Sequence, residues 1–315
     1  MANATPALAK LTRVDPRRLP VFRVDAFTRR RFSGNPAIVV LEADALSTPE
    51  MRMLANELHE GDTAFVLKPD GADHDLRVRF FSPTRELPFV GHATVAAHYA
   101  LGIEGPPRRA RVRQMTGAGI IDVEVRGVTD DRTIAMTLAP PTLGRTLDVR
   151  DKARVLDALA LSSSDLDPAC PLQIALKGST RLMVGLQTVA QLDSLRPDLA
   201  ALRRLSPNIG ADGYFVFARQ GAPDDCLTEA RMFCPAIGID EDPVSGNAHG
   251  MLGVYLAEHR LLPVSAGGAA FTGLQGRVLG RPGRVHVEVS ITDARVNSVT
   301  ISGAAVLVYR TTVEI

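Results

Sequence analysis

Three side chains in this sequence have the types and settings that move protons. Asp62 opens a strand-like run, Asp62-Thr63-Ala64-Phe65-Val66, directly after Gly61. His92 follows Gly91 at the start of an apolar helical pattern. Asp242 lies in Glu241-Asp242-Pro243-Val244-Ser245-Gly246-Asn247, ahead of a second such pattern. The free N–H groups and dipole of a helix start favour carboxylate over carboxylic acid, and neutral imidazole over imidazolium. Neutral His beside ionised Asp near neutral pH is a workable general acid–base set. Each residue also has an ordinary reading: Asp62 as a turn cap, Asp242 as a helix cap, His92 as a partner of a backbone carbonyl.

Other chemistries fit poorly. His92 and His98 lack the spacing that puts two metal ligands on one helix face, His59-Glu60 has no second His four residues on, and no HExxH occurs. Cys170, Cys226 and Cys234 include no CxxC pair, which removes a disulfide framework or a Cys-rich zinc site and fits a reducing compartment. Thr116-Gly117-Ala118-Gly119-Ile120 lacks the third glycine of a dinucleotide fingerprint and lies among strand patterns. No GxSxG elbow appears. The cluster of Arg108, Arg109, Arg111 and Arg113 reads as a solvated strand face. With Lys+Arg 36 against Asp+Glu 35 the net charge is +1, so no strong field draws the chain to nucleic acid or an anionic membrane. Aromatic residues are sparse and Trp is absent, which is poor material for base stacking.

The elements that must position these residues can be traced along the 315 residues, 45% of them hydrophobic. Residues 1–18 read as a loose tail without the apolar stretch of a signal peptide, and no run approaches the length of a membrane helix. A cytoplasmic protein is the expectation. Folded sequence is expected from Leu19, with a strand over Val21–Phe27, a turn at Gly34-Asn35-Pro36 and a buried strand over Ala37–Leu41. Ser47-Thr48-Pro49-Glu50 predicts a capped helix to Leu58. Strands are expected over Asp62–Leu67 and Leu76–Phe81, then a helix from Gly91 stopped by Gly102. Ala139-Pro140-Pro141 is the linker candidate.

The second half overlays the first. Asp62-Thr63-Ala64-Phe65-Val66 matches Asp212-Gly213-Tyr214-Phe215-Val216, Arg79-Phe80-Phe81-Ser82-Pro83 matches Arg231-Met232-Phe233-Cys234-Pro235, and Gly91-His92-Ala93 matches Gly246-Asn247-Ala248. Three signals in the same order at nearly constant offset argue for a duplication. Two domains are expected, over 19–139 and 140–298, with the stretch from 299 returning to the first. The cleft between duplicated halves is the natural site. Two helix starts aimed at it would bind an anion, most simply a substrate carboxylate.

These residues resemble the phenazine-biosynthesis-like (PhzF-like) isomerases, relatives of diaminopimelate epimerase. The resemblance runs over nearly all of the chain beyond the tail. It is carried by Val24-Asp25-Ala26-Phe27 with Ser33-Gly34-Asn35-Pro36, the Asp62 run, Arg79–Pro83 leading to Glu86–Thr94, Gly238–Gly250, and Gln275-Gly276 with Gly280-Arg281-Pro282-Gly283. It implies an α+β, diaminopimelate epimerase-like fold of two similar domains, each a curved, mostly antiparallel sheet around a central helix. It implies proton transfer on a small carboxylate without metal or organic cofactor, and a homodimer. The family's acid/base position, usually Glu, is Asp62 here; the family's helix-start His and Glu-Asp-Pro Asp match His92 and Asp242. Asn35 is a substrate-contact position by resemblance. Asn247 stands where a Ser or other small polar residue is common.

The reading is an isomerase with Asp62 as base and then acid, His92 and Asp242 relaying or holding protons, and the amides of Gly91, His92, Gly246 and Asn247 binding carboxylate or developing enolate. The epimerase relatives' paired thiols are missing, because Val90 and Ser245 precede the helix-start glycines. An amino-acid epimerase and a catalytically inactive binding protein on the same fold are the alternatives.

Overall fold

The computed structural model describes residues 17–105, 110–127, 131–265, 267–293 and 295–315. Most of the expected tail (1–16), and Arg108 and Arg109 of the basic cluster, lie outside the described residues. The fold is mixed α+β. The first half carries β1 (Arg18–Ala26), β2 (Asn35–Val40), α1 (Thr48–Leu58), β3 (Asp62–Leu67), β4 (Leu76–Phe81), β5 (Glu86–Leu87), α2 (Gly91–Glu104), β6 (Arg111–Thr116), β7 (Gly119–Arg126) and β8 (Thr133–Leu138). Then follow β9 (Thr142–Thr146), α3 (Val149–Ala158), β10 (Gln173–Leu176), β11 (Thr180–Thr188), α4 (Val189–Ser194), α5 (Leu199–Ile209), β12 (Gly213–Gln220) and β13 (Thr228–Cys234). The chain ends with β14 (Ile239–Asp242), α6 (Gly246–Glu258), β15 (Gly268–Gln275), β16 (Gly283–Thr292) and β17 (Arg295–Glu314). Among the described residues no helix is long and apolar enough to cross a membrane.

Local sequence explains the helices that matter here. Ser47 caps α1 reciprocally with Glu50, and Pro49 sits in its first turn. α2 and α6 are apolar nearly all round, so neither can lie on a surface. Ala93, Val95, Ala96, Ala97 and Ala100 of α2 are buried, as are Met251, Leu252, Val254 and Leu256 of α6, all in one large core cluster. Their small residues let strands wrap closely. Separate clusters lie under α1 and under α3–α5.

Two boundaries differ from the sequence reading. β1 begins at Arg18, and Arg17 exchanges two backbone hydrogen bonds with Ile315, each 3.0 Å, so the last two residues of the expected tail belong to the fold. Gly102 does not stop α2, which continues to Glu104. A Cβ at Gly102 would collide with the Arg132 guanidinium, so the glycine makes room for that side chain.

Strand pairing brings distant segments together. β2 and β3 are parallel, β3 and β4 antiparallel, β4 pairs antiparallel with β5 and parallel with β6. β11 and β12 are parallel, β12 and β13 antiparallel, β13 pairs antiparallel with β14 and parallel with β15. The 20-residue β17 pairs with β16, β8 and β1 along its length.

Candidate active site

Asp62 owes its place to the turn before it. α1 ends at Leu58, and Gly61 has φ +92°, where a side chain would be strained. The chain then enters β3 with Asp62 opposite Ala37 of β2. His92 is the second residue of α2, and its Nε2 lies 3.7 Å from Asp62 Oδ2. The two side chains are 15% and 23% exposed. Asp62 accepts no hydrogen bond among the described residues. Its sequence counterpart Asp212 differs, because its carboxylate accepts from Thr180 N and Oγ1, both at 2.9 Å.

Asp242 closes β14 and is held from several directions. Asn35 Nδ2 donates to Asp242 Oδ1 at 2.7 Å and to Val244 O at 2.8 Å. Gln275 Nε2 donates to the Asp242 carbonyl at 2.6 Å, while its Oε1 accepts from Ser245 N at 3.0 Å. The neighbouring Glu241 forms a two-pronged pair with Arg231, at 2.9 and 2.8 Å, and that guanidinium also donates to the carbonyls of Leu192 and Leu195. A similar pair, Arg79 with Glu86 at 2.7 Å twice, holds the strand leading to α2. Arg79 lies over the Phe81 ring and Arg231 over Phe233.

The two helix starts are built differently. No side chain caps α2 at Val90, which leaves its first N–H groups to water or a ligand. Ser245 caps α6 by accepting from Ala248 N. A Cβ at Gly246 would lie 2.7 Å from Phe27 Cζ, so packing demands glycine there. A Cβ at Gly91 would meet only Met136 Cε, at 3.9 Å, so protein packing does not demand it. Asn247 Nδ2 donates to Lys177 O at 3.2 Å and Ser179 Oγ at 3.3 Å, tying the hairpin between β10 and β11 to the start of α6.

Burial governs the protonation of these groups. It pushes Asp62 up to about 7, with the Asp242 charge adding to the rise. It pushes Asp242 up to about 6, against the pull of the Arg181 guanidinium and the Asn35 hydrogen bond. It pushes His92 down to about 4, so the imidazole is neutral at neutral pH. Two like carboxylates that resist joint ionisation, beside a neutral imidazole, can hold, release and accept a proton over the neutral range.

Of the residues singled out from sequence, Asp62, His92, Asp242 and Asn35 are joined by these contacts and charges, and Gly91, Gly246 and Asn247 stand at the adjoining helix starts. Asn35 is buried, and its amide nitrogen anchors Asp242 and the Val244 carbonyl. Arg181 and the roles of Gln275 and Arg231 were not read from sequence. Their partners come from other elements; the Gln275-Gly276 motif and the Arg231–Pro235 match to Arg79–Pro83 gave the signals, and Arg181 gave none. A pocket of about 590 Å³, lined by Pro141, Gln173, Glu258, His259 and Arg295 among others, lies at the other end of α6 and shares no residue with this group. Among the described residues no three His, Cys, Asp or Glu are grouped to hold a metal ion.

Comparison with known proteins agrees with this architecture. The family model described as phenazine biosynthesis-like protein matches residues 24–311. An uncharacterized isomerase of Clostridium acetobutylicum is 41% identical over 93% of this chain and 97% of its own length. The trans-2,3-dihydro-3-hydroxyanthranilate isomerase of Pseudomonas aeruginosa is 32% identical over 89% of this chain and 94% of that protein. The crystal structure of a phenazine biosynthesis protein, PhzF family, from Bacillus anthracis superposes with a TM-score of 0.85 at 27% identity, covering 95% of this chain and all of that one. This chain belongs to the phenazine biosynthesis-like (PhzC-PhzF) family of proteins.

Proposed function

We propose that this chain is a cofactor-independent isomerase acting on a small carboxylate. The observation that carries the reading is Asp62: a largely buried carboxylate without hydrogen-bond partners among the described residues, facing a neutral imidazole at 3.7 Å and sensing a second carboxylate. Asp62 takes the proton from carbon beside an activating group. The C–H electron pair moves into the conjugated system, and a proton returns at a different carbon. The free amides at Gly91 and His92 hold the substrate carboxylate or the developing enolate. Asn35 and Gln275 fix Asp242, and His92 relays or holds a proton. The relatives' name of isomerase supports the class, and the Pseudomonas protein supplies the first substrate to try.

We also infer that the halves 19–139 and 140–298 descend from one duplicated unit. Support comes from the same succession of parallel and antiparallel pairings in each half and from the matched Arg–Glu–Phe sets. A homodimer and a cytoplasmic location are part of this reading, and light scattering at micromolar concentration tests the former.

The test is incubation in deuterated water with trans-2,3-dihydro-3-hydroxyanthranilate and a panel of amino acids, read by mass spectrometry and NMR. Isomerisation places solvent deuterium at a new carbon, and Asp62→Asn abolishes it. Deuterium returned to the same carbon with inversion would indicate an epimerase. Binding without exchange would indicate a protein that kept the fold and lost catalysis.

A further inference from the structure

Each of the two core helices carries a buried side-chain donor in its first turn. Thr94 is the fourth residue of α2, and its Oγ1 donates to the Val90 carbonyl at 2.9 Å. His249 is the fourth residue of α6, and its Nδ1 lies 2.8 Å from the Ser245 carbonyl oxygen. A carbonyl only accepts, so Nδ1 carries the proton. Val90 and Ser245 are the residues immediately before the two helices. Their carbonyls also accept the ordinary helix bonds, from Thr94 N at 3.0 Å and His249 N at 3.1 Å. One carbonyl is thus held twice at equivalent places in the two halves, by unlike side chains. Both side chains are fully buried.

The histidine is the more telling of the two. A threonine bonded to the carbonyl four residues back is common in helices; a buried imidazole in the same place is not. Its ring occupies a slot that Gly273 opens, because a Cβ there would lie 2.4 Å from His249 Cδ2 and 2.6 Å from Nε2. Phe215 closes the slot, its ring at 75° to the imidazole with centroids 5.1 Å apart. Nε2 has no hydrogen-bond partner among the described residues. Burying such an atom is costly, and an apolar side chain would fill the slot without that cost. What imidazole adds is the Nδ1–H bond to Ser245.

That bond fixes a direction. In a planar trans peptide the C=O and N–H groups point opposite ways, and none of the described peptides is cis. With the Val90 and Ser245 carbonyls held toward the helix body, the N–H groups of Gly91 and Gly246 face out of the helix ends. Neither has an acceptor among the described residues. The chain leading to Gly246 is fixed as well, since Asn35 holds Val244 O while Gln275 holds Ser245 N and Asp242 O. On α2 the outward N–H directly precedes His92, which faces Asp62.

We propose that Thr94 and His249 are paired positioning residues, which lock the first peptide of each core helix and so aim the Gly91 and Gly246 N–H groups as fixed donors to the substrate anion. The use of the donors rests on the isomerase reading above. The lock does not, because it can be measured without turnover.

The experiment is NMR of full-length 15N-labelled protein. In wild type at neutral pH the His249 ring should carry its proton on Nδ1 and none on Nε2; the reverse tautomer overturns the proposal. The backbone order parameters of Gly91 and Gly246 should lie near about 0.85 in wild type, and fall toward about 0.6 at Gly91 in Thr94→Val and at Gly246 in His249→Leu. Thr94→Ser keeps the hydroxyl and His249→Asn places an amide N–H where Nδ1 lay, so both should hold the wild-type value. Unchanged order parameters in Thr94→Val and His249→Leu overturn the proposal. If His249→Leu does not fold, His249→Gln, whose amide reaches where Nε2 lay, takes its place. With trans-2,3-dihydro-3-hydroxyanthranilate as probe, kcat/KM should fall about tenfold or more in Thr94→Val and His249→Leu, and stay within about threefold of wild type in Thr94→Ser and His249→Asn. Equal losses in all four variants would mark both positions as packing and overturn the aiming role. Absence of turnover in wild type would count against the isomerase reading, while the tautomer and the order parameters still decide the lock.

Discussion

Nε2 of His92 lies 3.7 Å from Oδ2 of Asp62, beyond a standing hydrogen bond yet within a small displacement of one. A permanent bond to imidazole would stabilise the ionised carboxylate and weaken it as a base. The gap leaves Asp62 largely desolvated and without a hydrogen-bond donor among the described residues, a costly arrangement for a residue with only a structural task.

That cost makes stability depend on pH in a definite direction. The folded state raises Asp62 from 3.8 to about 7, so it binds the proton more tightly than the unfolded chain does. Its contribution is fully present below about pH 4 and is lost as pH rises through about 7. Asn cannot ionise and escapes the loss. Asp62→Asn should match wild type near pH 4 and exceed it by about 1–3 kcal/mol at pH 8. Urea unfolding at both pH values checks this; equal stability at pH 8 would mean that Asp62 ionises without penalty.

The rate of exchange should follow the same ionisation. As a base, Asp62 must be deprotonated, so turnover should climb as pH rises through about 7, with the two carboxylates titrating as a pair. Asp62→Glu adds a methylene where His92 already stands close. Misplacing a base by about 1 Å costs on the order of a hundredfold, so kcat should fall about 10–100-fold. Kinetics across pH 5–9 test both statements, and a faster Glu variant would show that the native carboxylate is too short for its substrate.

Gly91 and Gly246 should respond oppositely to alanine. Gly91→Ala meets only Met136 at 3.9 Å, and alanine favours helix by about 0.5–1 kcal/mol, so the melting temperature should hold or rise. The added methyl stands at uncapped amides, so exchange should drop at least tenfold. Gly246→Ala drives a methyl toward Phe27 and should destabilise by about 1–3 kcal/mol. Calorimetry and the exchange assay on both variants separate ligand space from packing space.

The two arginine–glutamate pairs should differ in weight. Glu241 is 13% exposed and Glu86 is 43% exposed. Glu241→Ala strands a buried guanidinium and should cost about 3–5 kcal/mol. Glu86→Ala leaves Arg79 within reach of water and should cost about 1 kcal/mol or less. Denaturant midpoints measured in one buffer check the contrast.

Sequence carried the parts of this molecule that depend on local chemistry. The Ser47–Glu50 cap placed α1, the run after Gly61 placed β3, and apolar patterns after Gly91 and Gly246 placed the two core helices. Asp62, His92 and Asp242 stood out because each opens or precedes an element. Arg181 did not stand out, since an arginine in a strand has no local mark and its effect on Asp242 arises only once β11, β12 and β13 lie side by side. Asn35 was noticed by position, but its bond to Asp242 spans 207 residues and no spacing rule reaches that far. Gly102 misled, because a helix interior tolerates glycine when a neighbour such as Arg132 needs the space.

The paired backbone bonds between Arg17 and Ile315 bring the two ends of the described chain side by side. Such closeness makes the polypeptide nearly circular in space, and the order of its elements is then a matter of where it is opened. A permutant joined from 315 to 17 through a short glycine-rich segment, and cut at Pro140-Pro141, keeps every strand pairing of β17 with β1, β8 and β16. The two halves of the chain would then be synthesised in reverse order. The strand that now closes the fold last would emerge midway, ready to template both sides at once.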